Sequence, residues 1–158
     1  MGDEATTRLV EELATGVVRA ALPRPVVVVT DDAEVVSWAA EMGAEVHFST
    51  VRGLNESVSE ARDALKQRFT NIVVAHGDLR NPEGLGIAYF EEGVTIVSDG
   101  RGDGSNVLVV PSAIPFTFAY GVGSAARHAQ HAQEMGLPWR LHTSSPWSLD
   151  IDTADDLA

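Results

Sequence analysis

The chain has 158 residues, 44% of them hydrophobic, and 23 acidic against 11 basic side chains give it a formal charge of -12. This balance argues against wrapping a nucleic-acid backbone, and the absence of cysteine excludes disulfides, thiolate zinc sites and cysteine nucleophiles. No apolar run approaches the roughly 20 residues that span a bilayer, and the acidic start does not read as a signal peptide, so one cytoplasmic domain over residues 1–158 is expected.

A first helix is expected over Thr7–Leu22, where Leu9, Leu13 and Val17 recur every four residues and Pro23 and Pro25 end the pattern. The β-branched run Val26–Val29 reads as a buried strand. A second helix follows, capped at Asp31 or Asp32 and stopped at Gly43. Ala44–Phe48 is a second strand, and Leu54, Val58, Ala61 and Leu65 mark one side of a third helix. Strands are expected at Asn71–Ala75, Val94–Val97 and Val107–Val110, with a short helix or strand near Ile87–Phe90. Ser124–Met135 reads as a helix closed by Gly136, and Trp139–His142 as a short strand. Thr153 and Asp156 have capping-box spacing for a last helix. Helices alternating with branched strands predict a three-layer α/β/α sandwich, Rossmann-like, with a mainly parallel sheet.

Four stretches carry candidate chemistry. Asp78 follows the strand "NIVVA", at the carboxyl end where ligands bind in open α/β sheets, and a carboxylate there can hold Mg²⁺. Its plainer reading is a turn cap beside Gly77. Asp150 and Asp152, two apart in "LDID", share a face if extended and could share that metal; alternatively Asp152 only caps a helix.

In "SDGRGDGSN" the glycines permit close backbone approach, Arg101 suits a phosphate or carboxylate, and Ser105 and Asn106 add hydroxyl and amide bonds. The alternative is an ordinary glycine-rich turn. In "YGVGSAARH", Gly121 and Gly123 precede a helix opening at Ser124, whose free amides form an anion seat. Arg127 and His128, one turn on, reach toward the same anion. The alternative is a serine cap on a surface helix. The long irregular segment "PSAIPFTFAYGVGS" fits a substrate loop. There is no G-x-S-x-G, H-E-x-x-H or Walker lysine motif, so carboxylates plus anion seats point to phosphoryl or nucleotidyl transfer.

Taken in order, these stretches resemble the 2-phospho-L-lactate and phosphoenolpyruvate guanylyltransferases of coenzyme F420 biosynthesis. The likeness rests on "VVTDD" (Val28–Asp32), on Gly53, Leu54 and Asn55, and on Asp78-Leu79 after a strand. It continues through Asp99, Gly102, Gly104, Ser105, Asn106 and Leu108, then Phe118, Gly121, Gly123, Ser124 and His128, and closes on "LDIDTADDL". Arg80, Val122 and Ala154 stand where family members have proline, and Ser105 stands in place of threonine.

The resemblance implies Asp78, Asp150 and Asp152 as metal carboxylates, with Asp78 and Asp152 catalytic. It implies Ser105, Gly121 and Ser124 as the cradle for the phosphate and carboxylate of a small acid, and Arg101, Asn106, Gly123, Arg127 and His128, read from the two stretches above, complete the expected substrate-binding set. GTP and Mg²⁺ would be the nucleotide and cofactor, with pyrophosphate released. Family members also begin with a strand and a basic nucleotide-binding loop. Nothing before Thr7 supplies these, so an N-terminally incomplete relative is expected, truncated or inactive in this form. A non-catalytic phosphometabolite-binding or scaffold protein is the alternative. The choice between the two acids, and the oligomeric state, stay open.

Overall fold

The computed structural model describes residues 2–149. The chain runs α1 (Gly2–Ala21), β1 (Val27–Thr30), α2 (Ala33–Glu41), β2 (Glu45–Phe48), α3 (Leu54–Leu65) and β3 (Asn71–Ala75). It continues through β4 (Val94–Ser98), β5 (Ser105–Pro111), α4 (Ser124–Glu134), β6 (Trp139–His142) and a short 3₁₀ turn at Pro146–Ser148. Among the described residues, no helix is long and apolar enough to cross a membrane.

α1 starts five residues before the apolar stripe predicts. Asp3 and Glu4 favour the positive end of the helix dipole, and the Thr6 and Thr7 hydroxyls donate back to the carbonyls of Gly2 (2.7 Å) and Asp3 (2.8 Å). α2 opens as expected at Asp32, whose Oδ1 accepts from Glu34 N at 2.8 Å. No helix or strand forms over residues 87–90. The expected last helix lies outside the described residues.

The fold is α/β and Rossmann-like, but its main sheet is mixed, which corrects the expectation of a mainly parallel one. β1 and β2 form a parallel pair. The four-stranded sheet has the order β3-β5-β4-β6, with β5 antiparallel to both neighbours and β6 parallel to β4. The cause is the connection between β4 and β5. A parallel return needs a crossover of about a dozen residues or more, whereas residues 99–104 close only a hairpin. The N-terminal end is itself an α/β unit of α1, β1, α2 and β2. Its helices are linked by Trp38 Nε1 donating to Thr15 Oγ1 at 3.3 Å.

Strand alternation sorts the core onto the two faces of the main sheet. Ile72, Val74, Val94, Ile96, Leu108 and Val110 face α3 and α4, against Val58, Ala125, Ala129 and Ala132. Val73, Ala75, Val97 and Val107 face the other way, onto Val17 of α1, Leu79 and Leu85. β4 and β5, not β1, are the strands buried on both sides. Burying a valine or leucine side chain contributes roughly 1.5–3 kcal/mol, so this doubly covered pair anchors the sheet end that carries the site.

Candidate anion and metal site

Because β5 runs against its neighbours, its first residues lie beside the last residues of β3 and β4. Ser105 pairs with Ser98, Val107 with Ala75, and His76 N donates to Asn106 O at 3.1 Å. Ser105 and Asn106 are therefore strand residues, where the sequence suggests a loop. α4 begins over the same end. Ser105, Asn106, Ser124 and His128 are brought together, and all four are buried, with at most 2% of their surface exposed.

Their hydrogen bonds determine proton positions. Ala119 N donates to His128 Nε2 at 2.9 Å, so the neutral ring carries its proton on Nδ1. That proton is donated to Ser105 Oγ at 2.8 Å. Ser105 Oγ also lies 3.1 Å from Ser124 Oγ. Burial, then the nearby Arg127 and His131 charges, hold the imidazole down to about 4, which keeps it neutral near pH 7. The two hydroxyls and the Nδ1–H supply three protons to two contacts. Among the described residues one hydroxyl proton thus remains for a further acceptor. Asn106 turns away from this trio, its amide donating to Trp147 O at 3.0 Å and holding the 3₁₀ turn.

The anion seats predicted in the backbone are filled by the chain itself. Asp99 Oδ1 accepts from Arg101 N (3.1 Å) and Asp103 N (2.8 Å), and its Oδ2 from Gly104 N (2.9 Å). The close approach at Gly104 is to this carboxylate: a Cβ there would meet Asp99 Oδ2 at 2.8 Å. At the start of α4, Asp103 Oδ2 accepts from Gly123 N at 3.0 Å and Asp103 O from Ala125 N at 3.0 Å. Gly121 and Gly123 hold φ of 118° and 75°, conformations that favour glycine. Arg127 folds back over them, its Nη1 donating to Val122 O and its Nη2 to Ala119 O. Arg101 stands exposed on the hairpin loop, apart from the buried trio.

Asp78 lies three residues past β3, on the same sheet end. Its Oδ1 is buried and has no hydrogen-bond partner among the described residues. A carboxylate oxygen left so is costly unless a proton or cation meets it. Mg²⁺ commonly takes one or two carboxylates with the rest of its shell from water and phosphate, so Asp78 fits as one ligand. Among the described residues, no three His, Asp or Glu side chains group around a metal. Asp150 and Asp152 lie outside the described residues. The chain leading to them is held near Asp78, since Arg80 N donates to Leu149 O at 2.9 Å.

Three groups escaped the site read from sequence. Asn55, at the start of α3, accepts from Tyr120 N at 2.6 Å and donates to Tyr120 O at 3.4 Å, pinning the long loop before α4. Arg62 is buried and donates to Ile114 O at 2.7 Å, pinning the other end of that loop. Asp103 links the two glycine loops. Asn55 had a signal, as part of the Gly53-Leu54-Asn55 stretch, and so did Asp103, as a D-G pair repeating Asp99-Gly100 four residues on; Arg62 had none.

Comparison with known proteins decides the family. Residues 1–158 match the profile described as "Guanylyl transferase CofC like". The chain belongs to the CofC-like guanylyl transferase family. The match covers the whole of residues 1–158, and this corrects the expectation of an N-terminally incomplete relative.

A phosphoenolpyruvate guanylyltransferase of Sphaerobacter thermophilus is 32% identical over 138 residues, covering 84% of this chain and 67% of that protein. A protein of the same description from Chloroflexus aggregans is 28% identical over 167 residues, covering 97% of this chain and 83% of the relative. A 2-phospho-L-lactate guanylyltransferase of Methanocaldococcus fervens is 27% identical over 135 residues, covering 84% and 62%. Membership of the CofC-like family makes a nucleotidyltransferase-type role the general assignment.

Proposed function

We propose that this protein transfers GMP from GTP to a small phosphorylated acid, phosphoenolpyruvate or 2-phospho-L-lactate, in coenzyme F420 biosynthesis in the cytoplasm. A phosphate oxygen of the acid attacks the α-phosphorus of GTP. The bond from that phosphorus to the bridging oxygen of the β-phosphate breaks, and pyrophosphate leaves. No covalent enzyme intermediate is needed. Residues 1–158 would act as one nucleotidyltransferase-like domain.

The observation that carries this reading is the unspent hydroxyl proton of the Ser105–Ser124 pair, held in place by His128. A buried hydroxyl donor without an acceptor suits a phosphate or carboxylate oxygen of the acid. Asp78, with Asp150 and Asp152, would hold Mg²⁺, which supplies neutralisation of phosphate charge when bound. Asp78 and Asp152 are the carboxylates nearest to catalysis in this scheme. Gly121 and Gly123 shape the loop that would border the acid, and Arg127 and Arg101 would supply positive charge at the rim. Asn106 supports the site through the 3₁₀ turn.

The test is to supply the purified chain with GTP, Mg²⁺ and either acid, and to follow pyrophosphate release. Release that depends on the acid supports the reading. A second reading, a non-catalytic phosphometabolite binder, is favoured by the Asp103 carboxylate already seated at the start of α4. Binding of either acid without release from a folded chain would select it.

A further inference from the structure

Two surface loops meet at the rim of the site, and one side chain joins them. Residues 99–104 form the β4–β5 hairpin loop, and residues 119–123 lead into α4. The hairpin loop is shaped internally, by Asp99 accepting three of its own amides. Asp103 belongs to that loop but makes none of these closing bonds with its carboxylate. It reaches across instead, accepting from Gly123 N at 3.0 Å, while its carbonyl accepts from Ala125 N at 3.0 Å.

The far loop is the less self-sufficient of the two. Gly121 and Gly123 have no Cβ to restrict them, and Val122 between them is 85% exposed. Its other restraints include Asn55 on the backbone of Tyr120, His128 on Ala119 N, Arg127 on the carbonyls of Val122 and Ala119, and the turn bond from Ser124 N to Gly121 O. Arg127 restrains carbonyls only. Asp103 holds the Gly123 amide from the hairpin loop, and its charge suits the positive end of α4.

We propose that Asp103 is a positioning residue, a clamp that fixes the loop 121–123 relative to the hairpin loop so that both present one preformed surface to the acid. The part concerning the acid rests on the function proposed above; the clamp itself rests on geometry alone. A corollary is that the acid's own anionic groups sit beside the start of α4 rather than on Gly123 N.

Hydrogen exchange and calorimetric titration test this with two variants. Asp103→Ala removes the acceptor, and Asp103→Asn keeps an oxygen for Gly123 N while losing the charge. Exchange at Gly123 should rise about fivefold in Asp103→Ala, the effect of losing one typical hydrogen bond, and return close to the parent in Asp103→Asn. The Kd for phosphoenolpyruvate or 2-phospho-L-lactate should rise in Asp103→Ala and recover in Asp103→Asn. Unchanged exchange in Asp103→Ala overturns the clamp. Faster exchange with unchanged affinity overturns the positioning role. Tighter binding in Asp103→Ala overturns it too, and makes Asp103 a competing anion. If the parent binds neither acid, the functional reading fails, and exchange alone decides the clamp.

Discussion

Ser105 Oγ and His128 Nδ1 lie 2.8 Å apart, 23 residues apart in the chain, and join β5 to α4 at the buried centre of the site. The bond has a direction, because Ala119 N occupies the far ring nitrogen. Removing either partner strands a buried polar group. Ser105→Ala and His128→Ala should each cost about 1–3 kcal/mol or more of unfolding free energy. In a denaturant-melt cycle the double variant should cost less than the sum of the two. Additive losses would mean that the bond contributes nothing.

The same histidine makes stability depend on pH. Unfolded, it takes up a proton near the ordinary value of 6.5; folded, burial and nearby positive charge hold it down to about 4. Between these values the unfolded chain binds more protons, so stability falls as pH drops through that window and is fully present above it. A His128→Gln variant should show a shallower loss between pH 6.5 and pH 4 than the parent. Parallel curves for the two proteins would remove His128 from the titration.

Asn55 should matter to the loop more than its exposed helix start suggests. It exchanges two hydrogen bonds with the backbone of Tyr120, 65 residues away. Asn55→Ala strands a partly buried amide and carbonyl, and should cost about 2 kcal/mol. Hydrogen exchange should rise at residues 119–121 and leave β3 unchanged. A variant whose loop exchanges like the parent's would show that other contacts hold it.

Asp78→Asn separates a metal role from a structural one. Its buried Oδ1 has no described partner to lose, so thermal stability without Mg²⁺ should hold or rise. Mg²⁺-dependent pyrophosphate release should fall by at least about tenfold. Turnover equal to the parent's would take the metal away from Asp78.

Much of the fold is legible in the residues. Asn71–Ala75 and Trp139–His142 form strands with the expected bounds, and Asp32 caps α2 as its residue type suggests. The direction of β5 is a different kind of fact. Valine and leucine report burial but not strand polarity, and the alternation of helices and strands suggests parallel neighbours. The short span from Val97 to Val107 was the contrary signal. Ser105 and Asn106 have poor strand propensity and read as loop, yet pairing with Ser98 and His76 draws them into β5. The seats filled by Asp99 and Asp103 were hidden for another reason. An amide carries no residue-type mark, so sequence shows the glycines that open a seat but not the carboxylate that already fills it.

The reversed strand has one more effect. Along β3 and β4 the chain arrives at the rim after crossing the sheet, but along β5 it departs from there, with Ser105 as its first step inward. The hairpin loop therefore hangs between two strands tied to each other along their lengths. Lengthening or shortening it would raise or lower Arg101 and Asp103 over the opening while the strand pairs beneath keep their register. The sheet serves as a fixed floor, and the height of the wall above it is adjustable by a few residues.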